Sequence, residues 1–375
     1  MTEWKEYKLG EIAEILDYKR KPLSSMERST RKGIYPYYGA SGIIDSIDDY
    51  IFDGEHILIS EDGENLRTRQ TPIAFLANGK FWVNNHAHIL KADYVHSRLI
   101  CYYFAQLDLN PYITGAVQPK LSQESLNRIP LYLPTLINER EKIVSILSSL
   151  DDKIDLLHRE NATLEQMAET LFRQWFVEES KDEWKEKTIA DFAKHCKDSI
   201  NPQKHPDTIF HHYSIPAFDA GKNPTIETGE SIQSNKYVIP SNCILFSKLN
   251  PHKDKRVWFI LSEVPDNAIC STEFQAVKPI NHEYLYFLYG WLTNKENYDE
   301  IVSGVGGTSG SHQRIDPKSI FSFPCPNADI ETVRNYNNKV EPLFYKISNN
   351  QKQIITLTET RDGLLPRLMS GEIKI

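Results

Sequence analysis

No cysteine in this chain has a neighbour at metal-binding or redox spacing. The five cysteines (Cys101, Cys196, Cys243, Cys270 and Cys325) are scattered and form no CxxC pair. That argues against structural zinc and for reduced thiols. Apolar runs of membrane-spanning length are lacking too, so no membrane partner is expected. The opening residues MTEWKEYKLG show neither a basic n-region nor an apolar h-region, and the expected location is cytoplasmic. Motifs for chemistry are equally scarce. There is no HExxH, no well-placed GxGxxG or GxSxG, and no GK[ST] after the glycine-rich stretch at Gly304. No catalytic residue, metal site or cofactor of the chain's own is therefore expected. The Asn-Pro pairs at Asn110, Asn201, Asn223 and Asn250 continue with Tyr, Gln, Thr and His. None makes the Asn-Pro-Pro-aromatic motif of amino-methyltransferases. A nuclease built on Asp266 and Glu273 lacks its lysine, because Gln275 occupies the E-x-K position.

The residues present suit a soluble protein of two or three domains, with 375 residues, 40% hydrophobic and 25% charged. Glycine and proline are missing from the stretch on which the chain is organised, residues 138–175. Its apolar positions are Ile143, Leu147, Leu150, Ile154, Leu157, Leu164, Ala168, Leu171 and Trp175, with Asn161 as one polar member. Steps of four and three residues alternate throughout, the seam of a helix lying along another helix. Such a helix is about 55 Å long and needs a partner for its stripe. A buried Asn161 costs stability but fixes register and orientation.

A duplication supplies that partner. WKEKTIADFA at Trp184 repeats WKEYKLGEIA at Trp4, and both read as a short strand entering a small helix. Short strands with Gly and Asn turns follow each copy, then an aromatic amphipathic helix and a Gly-containing loop. Leu121-Ser122 corresponds to Ile315-Asp316, and Pro130 to Pro324. Shifting the long helix by 193 positions puts Leu147 on Val340, Leu150 on Leu343, Ile154 on Ile347, Leu164 on Leu357 and Leu171 on Leu364, with Ile354 in the same phase. Pro342 predicts a start or kink in this second helix, and Gly363 with Pro366 predicts a frayed or terminated last turn. The expected fold is α+β: two globular α/β modules and two long helices packed as an antiparallel coiled coil, a pseudo-two-fold tandem repeat. The boundaries are 1–137, first module; 138–178, central helix; 179–329, second module; 330–375, distal helix. A long helix packed on a neighbouring domain is the alternative.

Duplicated modules held at fixed separation suit a target that repeats at fixed separation, such as two DNA half-sites. The formal net charge of −8 argues mildly against nucleic acid, so local patches decide. In the second module Lys248, Asn250, His252, Lys253, Lys255 and Arg256 share one inter-strand loop. They suit phosphate neutralisation and base reading, or form a solvated hairpin tip. Thr308, Ser309, Ser311, His312 and Arg314 lie in a glycine-rich stretch suited to lining a backbone. First-module candidates are Lys19, Arg20, Tyr37, Tyr38, Ser41, Arg67, Arg69, Asn84, Asn85, His86, Gln118 and Lys120. Asn84 to His88 read equally well as hydrogen-bonded strand ends, and the tyrosines as partly core.

The whole chain resembles the specificity subunit of type I restriction-modification systems. The residues that carry the likeness are LPTLINEREKIVSILSSLDDKIDLLHRENATLEQMAETLFRQWFV in the centre and LTETRDGLLPRLMSGEIKI at the end. SKLNPHKDKRVW, STEF and TSGSHQRI resemble segments of one target-recognition type, YPYYGASGIID and VNNHAHIL those of another. The resemblance implies a non-catalytic subunit whose two target recognition domains each read half of a split site in double-stranded DNA. Its helices then act as spacer and docking surface for two modification (methyltransferase) subunits, and restriction (translocase and endonuclease) subunits complete the assembly. S-adenosylmethionine, ATP and Mg would belong to those partners. A stand-alone methyltransferase or nuclease and a protein-binding scaffold are the competing classes.

Overall fold

The seam positions of both long helices are buried or half-buried, and each helix contributes to two separate cores. The computed structural model describes residues 3–115, 117–251, 255–261, 264–303 and 314–375. Two compact units divide it, Met1–Leu156 with Ile354–Ile375 and Leu157–Gln353. Each unit holds one globular module and a stretch of each long helix. The central helix spans Ile137–Arg173 and ends in a wider turn at Gln174–Glu178; the distal helix spans Ile330–Met369.

In the first unit, strand Trp4–Lys8 pairs antiparallel with Pro130–Pro134, with Lys8 opposite Pro130. A four-stranded antiparallel sheet follows the order Glu14–Ile15, Ala87–Lys91, His56–Ser60, Ala74–Ala77. Its inner strand His56–Ser60 is buried along its whole length. A three-stranded sheet sets Lys32–Gly39 between antiparallel Gly42–Ile47 and parallel Trp82–Val83. Helix Tyr94–Gln106 begins where the Asp93 side chain accepts the His96 N–H, a standard N-cap. One core joins Ile57, Ile59, Leu99 and Phe104 of the module to Ile143 and Leu147 of the central helix and Leu365, Leu368 and Met369 of the distal helix. Asp151 accepts from Arg361 at 3.0 Å and from the Tyr102 hydroxyl at 2.7 Å, tying both helices to helix Tyr94–Gln106.

The second unit repeats this plan. Glu186–Thr188 pairs antiparallel with Pro324–Pro326, and Thr188 faces Pro324 as Lys8 faces Pro130. The four-stranded order is Ala193–Cys196, Phe274–Pro279, Cys243–Ser247, Val257–Ile260. Ile209–Tyr213, between antiparallel Thr225–Thr228 and parallel Ala268–Cys270, reproduces the three-stranded sheet. Lys236–Val238 and Ser199–Ile200 extend it to five strands. Phe172 and Phe176 of the central helix and Tyr336 of the distal helix pack around Phe287, with Phe176 4.8 Å from Phe287 and 5.0 Å from Tyr336. Glycine is required at 290, because a Cβ there would sit 2.2 Å from the Phe172 ring.

The helices run antiparallel in each unit. Asp151 meets Arg361 in the first; Asn161 meets Asn350, and Phe172 meets Tyr336, in the second. Ile143, Leu147, Ile154, Leu157, Val340 and Ile354 are buried; Leu150, Leu164, Leu171, Leu343, Ile347, Leu357 and Leu364 are half-buried. Asn350 donates its amide N–H to Asn161 Oδ1 at 2.8 Å and to Glu160 at 2.9 Å, so the two seam asparagines answer each other.

The distal helix neither starts nor stops at Pro342; it begins at Ile330, where Asp329 accepts the Thr332 N–H. Pro342 is exposed between buried Val340 and Phe344, so its ring points away from the seam and forfeits only one backbone bond. Gly363 and Pro366 also lie within the helix, where burial of Leu365, Leu368 and Met369 outweighs the lost propensity.

Asn161→Ala leaves the Asn350 amide without its buried acceptor. The expected cost is about 1–3 kcal/mol, read as a lowered urea midpoint. Replacing both asparagines by leucine restores the midpoint if desolvation is the cause.

Candidate nucleic-acid interface

Both modules end their inner strand in the same three-way backbone junction. After Ser60, the Glu61 N–H donates to the His86 carbonyl at 2.9 Å, and the Leu121 N–H donates to the Glu61 carbonyl at 2.8 Å. Asp62 then pairs with Lys120. After Ser247, the Lys248 N–H donates to the Glu273 carbonyl at 2.9 Å and the Ile315 N–H to the Lys248 carbonyl at 3.0 Å. Leu249 pairs with Arg314. A fourth bond also repeats, from Asn84 N–H to Tyr38 O and from Ser271 N–H to Tyr213 O. Leu121-Ser122 and Ile315-Asp316 are equivalent, as their spacing suggests, and Ser122 and Asp316 both cap the helical turn that follows.

On the first copy of this frame, Glu61 holds Arg20 at 2.6 Å and Lys120 at 3.3 Å, and Asp62 holds His86 at 2.8 Å. Ser60 donates to the Ala40 carbonyl at 2.6 Å, fixing the turn that carries exposed Ser41. Asn85, His86, Gln118 and Lys120 are exposed around it. On the second copy Arg314 forks onto Glu273 at 2.9 and 3.1 Å, beside half-buried Lys248 and Asn250. Burial, with Lys197 and Lys248 nearby, lowers the His195 pKa to about 4, which keeps a further positive charge off this copy at neutral pH.

Several candidates have structural work instead. Tyr37 is fully buried and its hydroxyl accepts the Leu23 N–H, so it belongs to the core. Arg20 lies in a network with Asp17, Glu61 and the Ala87 carbonyl. Asn84 is buried and accepts the His86 N–H, the strand-end alternative. Arg69, at φ 51°, donates to the Leu107, Phe104 and Ala105 carbonyls and closes the end of helix Tyr94–Gln106. Arg67 is exposed and reaches the Gly115 carbonyl at 3.0 Å. Tyr38 is half-buried against Phe75 and Phe81, and Lys19 is exposed over Tyr18. Lys255 donates to the Thr293 carbonyl, and Arg256 forks onto Asp219 with its side chain only 10% exposed. His252, Lys253, Thr308, Ser309, Ser311 and His312 lie outside the described residues.

Positive charge in the sequence does not point to the acids of the site. Glu61, Asp62 and Glu273 orient the cations at both junctions. The signal lies in the repeat, since ILIS-Glu61 and ILFS-Lys248 carry opposite charges after the same buried strand. Asp17, Glu61 and His88 also converge closely enough to suggest a metal site. Arg20 already bonds both carboxylates, and His88 bonds Asp17 at 2.6 Å and the Leu121 carbonyl at 2.8 Å. The group fits a buried ion-pair network.

Burial pushes the Asp17 carboxyl upward, but His88, the Ile89 N–H and Arg20 together lower its pKa. A depressed folded value stabilises the protein above the unfolded value, about 3.9, and that stability is lost as pH falls through the folded value. Asp17→Asn should therefore lower the melting temperature at pH 7, with the gap to wild type closing below about pH 4. A gap independent of pH would assign the loss to geometry.

Residues 1–166 match the family model described as the type I restriction modification DNA specificity domain. The type I restriction enzyme MjaIX specificity subunit of Methanocaldococcus jannaschii is 28% identical over 355 residues, covering 84% of this chain and 78% of that protein. A putative type I restriction enzyme specificity subunit of Haemophilus influenzae is 36% identical over 150 residues, 40% of this chain and 37% of its own. The crystal structure of a type I restriction-modification S subunit from M. genitalium has the same fold, at a TM-score of 0.61 and 16% identity, covering 98% of this chain and 96% of that one.

Proposed function

We propose that this chain, which belongs to the specificity subunits of type I restriction-modification systems, is the non-catalytic subunit that recognises DNA. Each module reads one half of a split site, and the paired helices set the gap between the halves. Two modification subunits dock on the chain and carry methyl transfer, and restriction subunits join for cleavage. S-adenosylmethionine, ATP and Mg are bound by those partners. The assembly works in the cytoplasm; among the described residues no helix is long and apolar enough to cross a membrane.

The observation that supports this most is the junction built twice on one backbone pattern with different side chains. A conserved frame positions a loop against a regular polymer, while altered side chains select different sequences along it. Ser41, Asn85, His86, Gln118, Lys120 and Arg67 of the first module face the first half-site. Lys248, Asn250 and Arg314 face the second. The carboxylates beside Lys120 and Arg314 hold each cation in place.

Base-resolution methylome sequencing of cells expressing this chain with a modification subunit should reveal a split, asymmetric motif that disappears without the chain. A competent modification subunit that gives no motif would remove this reading and favour a scaffold. Inserting one heptad after Leu157, with a matching heptad in the distal helix, should lengthen the gap and leave both half-sites unchanged. An unaltered gap would show that something other than the helices sets it. Lys120→Ala should weaken binding alike across sequences and reduce the log-log salt slope by about 1. A changed motif would instead make Lys120 a base reader.

A further inference from the structure

We propose that Arg314 reads a guanine in the half-site of the second module and that Glu273 is the residue that positions it. The assignment rests on the DNA-recognition reading and names the group recognised. A guanidinium carries five N–H donors on a rigid plane. Arg314 commits Nε to Glu273 Oε2 at 3.1 Å and Nη2 to Oε1 at 2.9 Å. The remaining hydrogens, both on Nη1 and the second on Nη2, have no acceptor among the described residues, and the side chain is 48% exposed. Two parallel N–H groups on one edge match the O6 and N7 acceptors that only guanine presents side by side in the major groove.

Both ends of this fork are anchored. The Glu273 carbonyl accepts the Lys248 N–H at 2.9 Å, and its own N–H donates to Ser271 Oγ at 3.2 Å. Arg314 is held by its backbone pairing with Leu249. The two-bond contact with Glu273 sets the plane of the guanidinium, and a fork held in plane discriminates bases. Arg256 makes the same two-bond contact with Asp219, but its side chain is only 10% exposed. In the first module Lys120 occupies the equivalent place. An ammonium on Glu61 is a point charge without a fork, so it serves a phosphate. Equivalent positions in the two modules thus have different tasks, base reading in one and backbone holding in the other.

The test is methylome sequencing in cells carrying the full chain with its modification subunit, for wild type and for Arg314→Lys, Arg314→Ala and Glu273→Gln. The wild-type motif should hold a guanine in one half-site at which Arg314→Ala loses roughly 5- to 150-fold discrimination. Arg314→Lys and Glu273→Gln should relax that same position to a smaller extent, and every other position should stay as in wild type. Arg314→Lys keeps the charge and the contact with Glu273, so it reports even if the alanine variant folds poorly. An unchanged motif with uniformly reduced methylation would make Arg314 a phosphate contact and overturn the assignment alone. Relaxation at an A·T position or in both half-sites would do the same. A wild-type chain that directs no split motif would overturn the DNA reading beneath it.

Discussion

A helix with a single apolar stripe cannot bury it alone, and that constraint organises this chain. The central helix has its seam covered by the distal helix in two places. In the first unit Ile143 and Leu147 meet Leu365, Leu368 and Met369; in the second, Phe172 meets Tyr336. Each pairing also enters the core of a globular module, so neither module is complete without both helices. Asn161 and Asn350 answer each other at 2.8 Å within the otherwise apolar seam. A slipped register would leave both amides buried without a partner, a heavier penalty than the modest cost of the aligned pair.

Duplication separates what must be constant from what can vary. The strand pairings Lys8–Pro130 and Thr188–Pro324, the two four-stranded sheets and the junction bonds at Glu61 and Lys248 repeat between modules. These are backbone interactions, indifferent to side-chain identity. The side chains mounted on them diverge, Glu61 against Lys248 and His86 against Glu273. A frame held by its main chain accepts such changes at little cost in stability, which is how one fold supports two recognition surfaces.

Much of this was legible in the sequence, for a physical reason in each case. Heptad spacing exposes a helix seam because burial selects apolar residues at fixed intervals. The repeat of WKEYKLGEIA as WKEKTIADFA locates the paired edge strands. Pro342 does not start the distal helix, because propensity is a weak prior wherever a helix is anchored by buried residues on either side. Site residues were harder to read. Tyr37, Arg20 and Arg256 have the residue types of DNA contacts, yet burial and ion pairing place them in structural roles. No local pattern reveals that Glu61 and Glu273 hold Lys120 and Arg314, since those partners lie far apart in sequence.

The acidic balance of the chain fits a DNA reader once the junctions are considered. A net charge of −8 repels a polyanion at long range. At short range each exposed cation at the junctions is paired with a carboxylate, Lys120 with Glu61 and Arg314 with Glu273. Such exposed pairs add little stability in water, so under the proposed reading a phosphate or base edge engages these cations at small cost. Loose, sequence-blind attraction is suppressed, whereas contacts that need a defined geometry are retained. Under the proposed reading, selectivity then comes from side chains held in place before binding.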